Sequence, residues 1–172
     1  KVVLIDLDLR KPRLHKSFEY DNSKGVSTIL IKKHSIEECL HDTEIDNLKI
    51  LTSGPVPPNP SELVLTDNYF KFLDDLKQQF DFIVIDTPPI GIVTDAIRSY
   101  QSTDYSLYIT RASHSPRTFL AYINKLSETK IINNLSLILN GVDDSSGKYG
   151  YGYGYNYGYS YGYGYSYGYK DY

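Results

Sequence analysis

The sequence predicts an α/β fold, a mostly parallel sheet flanked by helices, followed by a tail of different character. Three observations carry this. Short continuous apolar runs recur through residues 1–146, two of them closed by an aspartate. Stretches with apolar residues at steps of three and four lie between them. Past Gly141 both patterns stop, and tyrosine takes every odd position from Tyr149 to Tyr169.

Val2-Val3-Leu4-Ile5, closed by Asp6, is the first run, and Leu48-Lys49-Ile50-Leu51 is the next. Phe82-Ile83-Val84-Ile85 is closed by Asp86, and Leu107-Tyr108-Ile109 and Leu135-Ser136-Leu137-Ile138-Leu139 complete the set. Runs without polar alternation suit strands buried on both faces, the habit of parallel sheets. Asn59-Pro60-Ser61-Glu62 reads as a helix start, with Asn59 as N-cap, Pro60 at the first helical position and Glu62 completing something close to a capping box. Leu65, Tyr69, Leu73, Leu76 and Phe80 then form one apolar stripe. Ser115-Pro116 opens another helix, with Phe119, Leu120, Ile123 and Leu126 on its buried face. Strands alternating with helices imply right-handed crossovers within one layered domain.

Composition sets the limits. Of 172 residues, the last 26 (147–172) hold 12 of the 18 tyrosines and 8 of the 12 glycines, so the foldable part is one domain over residues 1–146. The face opposite the tail tyrosines is mostly glycine, which weakens a strand and packs against nothing, so residues 147–172 are expected to be disordered. Residues 1–146 carry 16 basic and 20 acidic side chains, a net −4, which excludes a nucleic-acid footprint. The single Cys39 excludes a disulfide framework and a multi-cysteine zinc site and suits a reducing compartment. It follows Glu37-Glu38 in what reads as a short helix, packed rather than reactive, and His15, His34, His41 and His114 read as surface residues. No apolar run approaches the roughly 18 residues of a membrane span. With no methionine, even at position 1, the chain is expected to be a processed or partial one, with any membrane anchor upstream.

Asp6 and Asp86 each close an apolar strand, at the edge where open α/β sheets bind ligands. Two carboxylates meeting there repel unless a cation joins them, and Mg²⁺ accepts one or two carboxylates with water and phosphate oxygens. Asp8, two residues on along an extended strand, points the same way as Asp6. It suits either binding the metal through water or orienting an attacking hydroxyl and taking its proton late. Arg10, Lys11 and Arg13 follow and suit phosphate or carboxylate pairing. Thr87-Pro88-Pro89 forces a rigid extended exit that holds Asp86 still. The plainer alternatives are strand-ending aspartates that cap turns, a solvated basic turn, and Asp95 as a helix cap.

Val3-Leu4-Ile5-Asp6-Leu7-Asp8-Leu9-Arg10-Lys11-Pro12 resembles the second Walker motif (Walker A′) of the bacterial tyrosine kinases, and Phe80 through Pro89 resembles their Walker B strand. Gly54-Pro55-Val56-Pro57-Pro58-Asn59-Pro60-Ser61-Glu62-Leu63 is similar to their proline-rich segment, and the tail to their phosphorylation cluster. The resemblance covers essentially the whole chain. It implies a P-loop NTPase-like fold of the deviant Walker type, with ATP and Mg²⁺ as cofactors and an activity of non-specific protein-tyrosine kinase. Asp6 and Asp8 would be catalytic, Asp6 and Asp86 would hold the metal, and Arg10 would face the nucleotide. Asn140-Gly141-Val142-Asp143, after the last strand, is the candidate segment for the base, with Asn140 as its binding residue. The acceptors would be Tyr149, Tyr151, Tyr153, Tyr155, Tyr157, Tyr159, Tyr161, Tyr163, Tyr165, Tyr167, Tyr169 and Tyr172, modified by a neighbour in a ring-like homo-oligomer. Implied partners are a membrane chain-length regulator, in the same or a separate chain, and a phosphotyrosine phosphatase. The setting is a cytoplasmic domain of an inner-membrane-anchored bacterial protein that governs capsular or exopolysaccharide synthesis and export.

One departure stands out. The family's P-loop, G-x-x-x-x-G-K-[ST], is nowhere in these residues. The expectation is that a phosphate-binding strand, loop and helix precede Lys1, and that this chain by itself is inactive. Two rival classes share parts of the pattern. A partitioning-type ATPase carries the Walker strands without need of a tyrosine tail. A non-catalytic regulatory or scaffolding domain could use a sticky Tyr/Gly tail as a ligand.

Overall fold

A computed structural model describes residues 1–89, 100–128, 132 and 134–142. The tail with its twelve tyrosines, Asp95 and Asp143 lie outside the described residues.

Strands β1 (Val2–Asp6), β2 (Leu40–Asp42), β3 (Leu48–Leu51) and β4 (Phe82–Asp86) form a sheet of order β2-β3-β1-β4. β1 runs parallel to both β3 and β4, and β2 closes the edge antiparallel to β3. A second, two-stranded parallel sheet joins β5 (Ser106–Arg111) to β6 (Leu135–Asn140). The helices are α1 (Leu14–Ser17), α2 (Val26–Leu30), α3 (Pro60–Leu63), α4 (Asp67–Gln79) and α5 (Thr118–Glu128). This is the mostly parallel α/β architecture that the apolar runs predict; β2, only three residues long, left no such run.

The core lies on one face of the larger sheet. Val3 and Ile5 of β1 and Leu51 of β3 point into it and meet Val26 and Leu30 of α2 and Tyr69, Phe72, Leu73 and Leu76 of α4, all fully buried or nearly so. Each large side chain withdrawn from water there contributes about 1.5–3 kcal/mol. α4 carries them because its apolar positions recur at three and four.

Several expectations need correction. β4 is not buried on both faces: Ile83 and Ile85 lean on the core, while Phe82 and Val84 are 70% and 51% exposed. Among the described residues β4 pairs with β1 alone and β5 with β6 alone; the face opposite the core is open at Phe82 and Val84, while Ile50 of β3 is fully buried. Leu107, Ile109, Leu137, Ile138 and Leu139 of the smaller sheet are exposed as well. The apolar stripe from Leu65 to Phe80 is not one helix with α3; the chain turns at Val64–Thr66 and restarts at Asp67, so Leu65 sits in the break. α5 buries Ile123 and Leu126, whereas Phe119 and Leu120 are exposed. Asn59 makes no side-chain cap; its amide Nδ2 donates instead to Glu62 Oε2 at 2.6 Å. Cys39 is buried but stands in a turn, its N–H donating to the Ile36 carbonyl, not in a helix. His114 is exposed as expected, but His15, His34 and His41 are half-buried, and His41 stacks on Tyr20 at 4.5 Å.

Candidate functional site

Parallel pairing puts the carboxyl ends of β1 and β4 side by side. The register runs from Val2↔Phe82 to Asp6↔Asp86, so the two aspartates are direct partners. The ladder continues one step further, with Leu7 N–H donating to the Asp86 carbonyl at 2.8 Å.

Asp6 is fully buried and its carboxylate organises the turn that follows. Asp8 N–H donates to Oδ1 at 3.2 Å, and Arg13 and Leu14 N–H donate to Oδ2 at 3.2 and 3.1 Å. Burial is the largest influence on Asp6 and raises its pKa; the three amides oppose this, and the Asp8 charge adds to the rise. Asp86 is exposed by area, yet the protein beneath its carboxylate is enough for desolvation to raise its pKa first. The charges of Asp6 and Asp8 raise it further, and the Thr87 amide alone opposes them.

β1 ends at Asp6, so Asp8 stands in the turn and its place comes from hydrogen bonds, not from strand alternation. Asp8 Oδ1 accepts Arg10 N–H at 3.1 Å and Lys11 N–H at 3.0 Å, which curls the basic stretch around it. The guanidinium of Arg10 donates to Ser61 Oγ in α3, tying the turn to the proline-rich segment. Asn140 ends β6, on the smaller sheet, and its Oδ1 accepts Gly141 N–H at 2.8 Å. Among the described residues no hydrogen bond joins Asn140 to Asp6, Asp8 or Asp86. The structure thus brings Asp6, Asp8 and Asp86 to one edge, while Arg10 turns to Ser61 and Asn140 ends the smaller sheet.

Sequence reasoning missed the residues that hold this edge together. Asn22 receives Gly54 N–H on Oδ1 at 2.9 Å and donates to the Gly54 carbonyl at 2.8 Å, clamping the start of the proline-rich segment. Gly25 lies so close that an added Cβ would come within 2.3 Å of Gly54 N and the Thr52 carbonyl. Gly25 and Gly54 sit 29 residues apart in sequence, and only the crossover from α2 to β3 brings them together.

The donor set fits Mg²⁺. Asp86 has a carboxylate held by one amide, and its two acidic neighbours leave negative charge unneutralised. Among the described residues no group of three or more His, Cys, Asp or Glu forms a complete metal cage. Mg²⁺ takes one or two carboxylates and fills its shell with water and phosphate oxygens, and Asp6 and Asp86 are two carboxylates in register. No helix of the described residues is long and apolar enough to cross a membrane.

A mostly parallel sheet delivers paired aspartates to its carboxyl edge in an α/β domain, and the family model described as AAA domain matches residues 1–136. Tyrosine-protein kinase YwqD of Bacillus subtilis (strain 168) is 35% identical over 152 residues, 88% of this chain and 64% of that protein. Tyrosine-protein kinase ptk of Acinetobacter johnsonii is 38% identical over 150 residues, 87% of this chain but 20% of that protein. The crystal structure of the VpsO kinase domain superposes with a TM-score of 0.76 at 32% identity, covering 83% of this chain and 71% of that one. The chain belongs to the bacterial tyrosine kinases within the AAA domain family. It spans between a fifth and two thirds of the lengths of these curated relatives.

Proposed function

We propose that this chain is part of an ATP-dependent protein-tyrosine autokinase that phosphorylates its own C-terminal tyrosine cluster between subunits. The observation that carries the reading is the in-register Asp6–Asp86 pair, with Asp8 folded back onto Asp6. The kinase names of relatives that match 87–88% of the chain support it.

Asp6 and Asp86 hold Mg²⁺, Asp86 directly or through water. Once bound, the ion neutralises charge on the transferred phosphoryl group. Asp6, with Asp8 supporting it, orients an incoming tyrosine hydroxyl. As the bond from tyrosine oxygen to the γ-phosphorus forms and the bond to the β-phosphate oxygen breaks, the hydroxyl proton passes to the carboxylate and ADP leaves. Arg10 can serve the nucleotide only by sharing or leaving Ser61, and Asn140 only if the two sheets close on one ligand.

The acceptors are Tyr149 through Tyr169 at odd positions and Tyr172. Each phosphate adds about −1.5 to −2 charges. The tail would then swing from +1 to on the order of −17 or lower, enough to push tails apart in a ring-like homo-oligomer. In this reading the cycle regulates capsular or exopolysaccharide synthesis and export. A membrane chain-length regulator and a phosphotyrosine phosphatase are partners, and the domain faces the cytoplasm from an inner-membrane anchor.

The test is the intact mass of the tail peptide released from the natural gene product, with Asp6 intact and with Asp6→Asn. A ladder of phosphate additions confined to the wild type supports the reading. Unmodified tails in both turn the assignment to an ATPase or scaffold. A ladder in both means that another kinase writes the tail.

A further inference from the structure

The exit from β4 has an anchoring problem. Thr87-Pro88-Pro89 carries two consecutive residues without N–H groups, so Thr87 holds its single backbone donor. Tyr100 reaches two of its other polar groups, the Thr87 hydroxyl and the Pro88 carbonyl. Tyr100 Oη lies 2.7 Å from Thr87 Oγ1 and 3.5 Å from the Pro88 carbonyl, the first a full hydrogen bond and the second a weak one.

Tyr100 is itself fixed. Its carbonyl accepts Thr103 Oγ1 at 2.8 Å and Thr103 N–H at 3.3 Å. Thr103 Oγ1 also lies 3.2 Å from the hydroxyl of Ser106, the buried first residue of β5. The phenol therefore stands as a strut between the entry to the smaller sheet and the exit of the larger one. At the far end, Thr87 follows Asp86 directly in the chain, and the Asp86 carbonyl is held by Leu7 N–H at 2.8 Å.

We infer that Tyr100 is a positioning residue for Asp86, acting through Thr87. The hydroxyl of Tyr100 fixes the Thr87 side chain, Leu7 N–H fixes the Asp86 carbonyl, and Asp86 is thereby held between two anchored neighbours, with the two prolines stiffening the exit. The inference deepens the cation site proposed above and rests on it for its functional meaning. Outer partners that orient a ligating carboxylate tune metal affinity without touching the ion.

The experiment uses the natural gene product as wild type, Tyr100→Phe, Thr87→Val and the double variant. Amide hydrogen exchange of the β4 exit reads the tether without any metal. Mn²⁺ binding in the presence of ADP, followed by electron paramagnetic resonance, reads its consequence. Tyr100→Phe should speed exchange at Thr87 and weaken Mn²⁺ binding, each by about three- to tenfold, with the melting temperature nearly unchanged. The double variant should match the single ones, since either change breaks the same link. Unchanged exchange at Thr87, or additive effects in the double variant, would overturn the inference. If the wild type binds no Mn²⁺, the kinase reading fails, while the exchange rates still decide whether Tyr100 holds Asp86.

Discussion

Asp6 and Asp86 are register partners at the carboxyl ends of neighbouring parallel strands, one buried under three backbone amides and the other open to solvent. The asymmetry assigns different work to the two. Asp6 has most of its acceptor capacity committed to shaping the turn through Leu14, whereas Asp86 retains most of its oxygen lone pairs for a ligand.

The amides on Asp6 predict a difference between two substitutions. Asp6→Ala leaves the N–H groups of Asp8, Arg13 and Leu14 without their acceptor, whereas Asp6→Asn keeps a carbonyl oxygen for some of them and removes the repulsion with Asp86. Asp6→Ala should be less stable than Asp6→Asn by about 1–3 kcal/mol in urea unfolding. Equal midpoints would mean that the three amides find water instead.

Stability should fall with rising pH at this edge when no cation is present. Asp6 and Asp86 both hold their protons more tightly in the folded chain than the ordinary carboxylate value of 3.8. At low pH both states are protonated. As pH rises past 3.8 the unfolded chain releases its protons first, so the stabilisation is fully present below that value and is lost as pH rises through the raised folded values. Melting temperatures in EDTA between pH 4 and 7, for example, should slope down more steeply for the wild type than for Asp86→Asn. Parallel slopes would show that Asp86 does not hold its proton more tightly in the folded chain than in the unfolded one.

Mg²⁺ should reverse that slope. A cation relieves the same repulsion, so adding it with nucleotide should raise the melting temperature more at pH 7 than at pH 5, and the gain should vanish in Asp86→Asn. Calorimetric scans of the natural gene product with and without Mg²⁺ measure this directly.

Gly25→Ala should be among the most damaging small substitutions in the chain. The backbone at Gly25 is extended (φ 161°), open to any residue, so the cost comes from the close approach to Gly54 and Thr52. Both contacts are backbone and cannot swing away, so a loss of about 3 kcal/mol or more is expected, read as lost solubility or a collapsed unfolding midpoint. A fully stable alanine variant would contradict the packing described for α2.

The two faces of the larger sheet should respond unequally. Ile5→Ala should cost about 2–5 kcal/mol because Ile5 is fully buried in the core. Val84→Thr, on the exposed face of the same sheet, should stay within about 0.5 kcal/mol. A large effect at Val84 would show that something covers that face in solution.

Five of the six strands and the place of Asp6 and Asp86 at the carboxyl ends of theirs were legible in the sequence because parallel strands advertise themselves; that the two strands are neighbours in register came from the fold. Unbroken β-branched runs have few other uses, and an aspartate that closes such a run must sit at the sheet's carboxyl edge. What failed was the burial of those runs. Period and composition say that Phe82-Ile83-Val84-Ile85 is a strand, but not which neighbours lie over each face. Asn59 stands at the N-cap of α3 with Pro60 behind it, as the sequence suggests, but its side chain bonds Glu62 and not a backbone N–H, a detail that spacing does not encode.

The sequence by itself determined the α/β class, the strand-ending aspartates and the kinship with bacterial tyrosine kinases, since all of these are written in local runs and short motifs. Tertiary structure alone decided that Asn22 clamps Gly54, that Gly25 must be glycine, that Arg10 turns to Ser61, and that Tyr100 reaches across to Thr87. These pairs are 13 to 51 residues apart. A contact at that separation depends on how the crossovers return the chain to the sheet, and no local pattern encodes it.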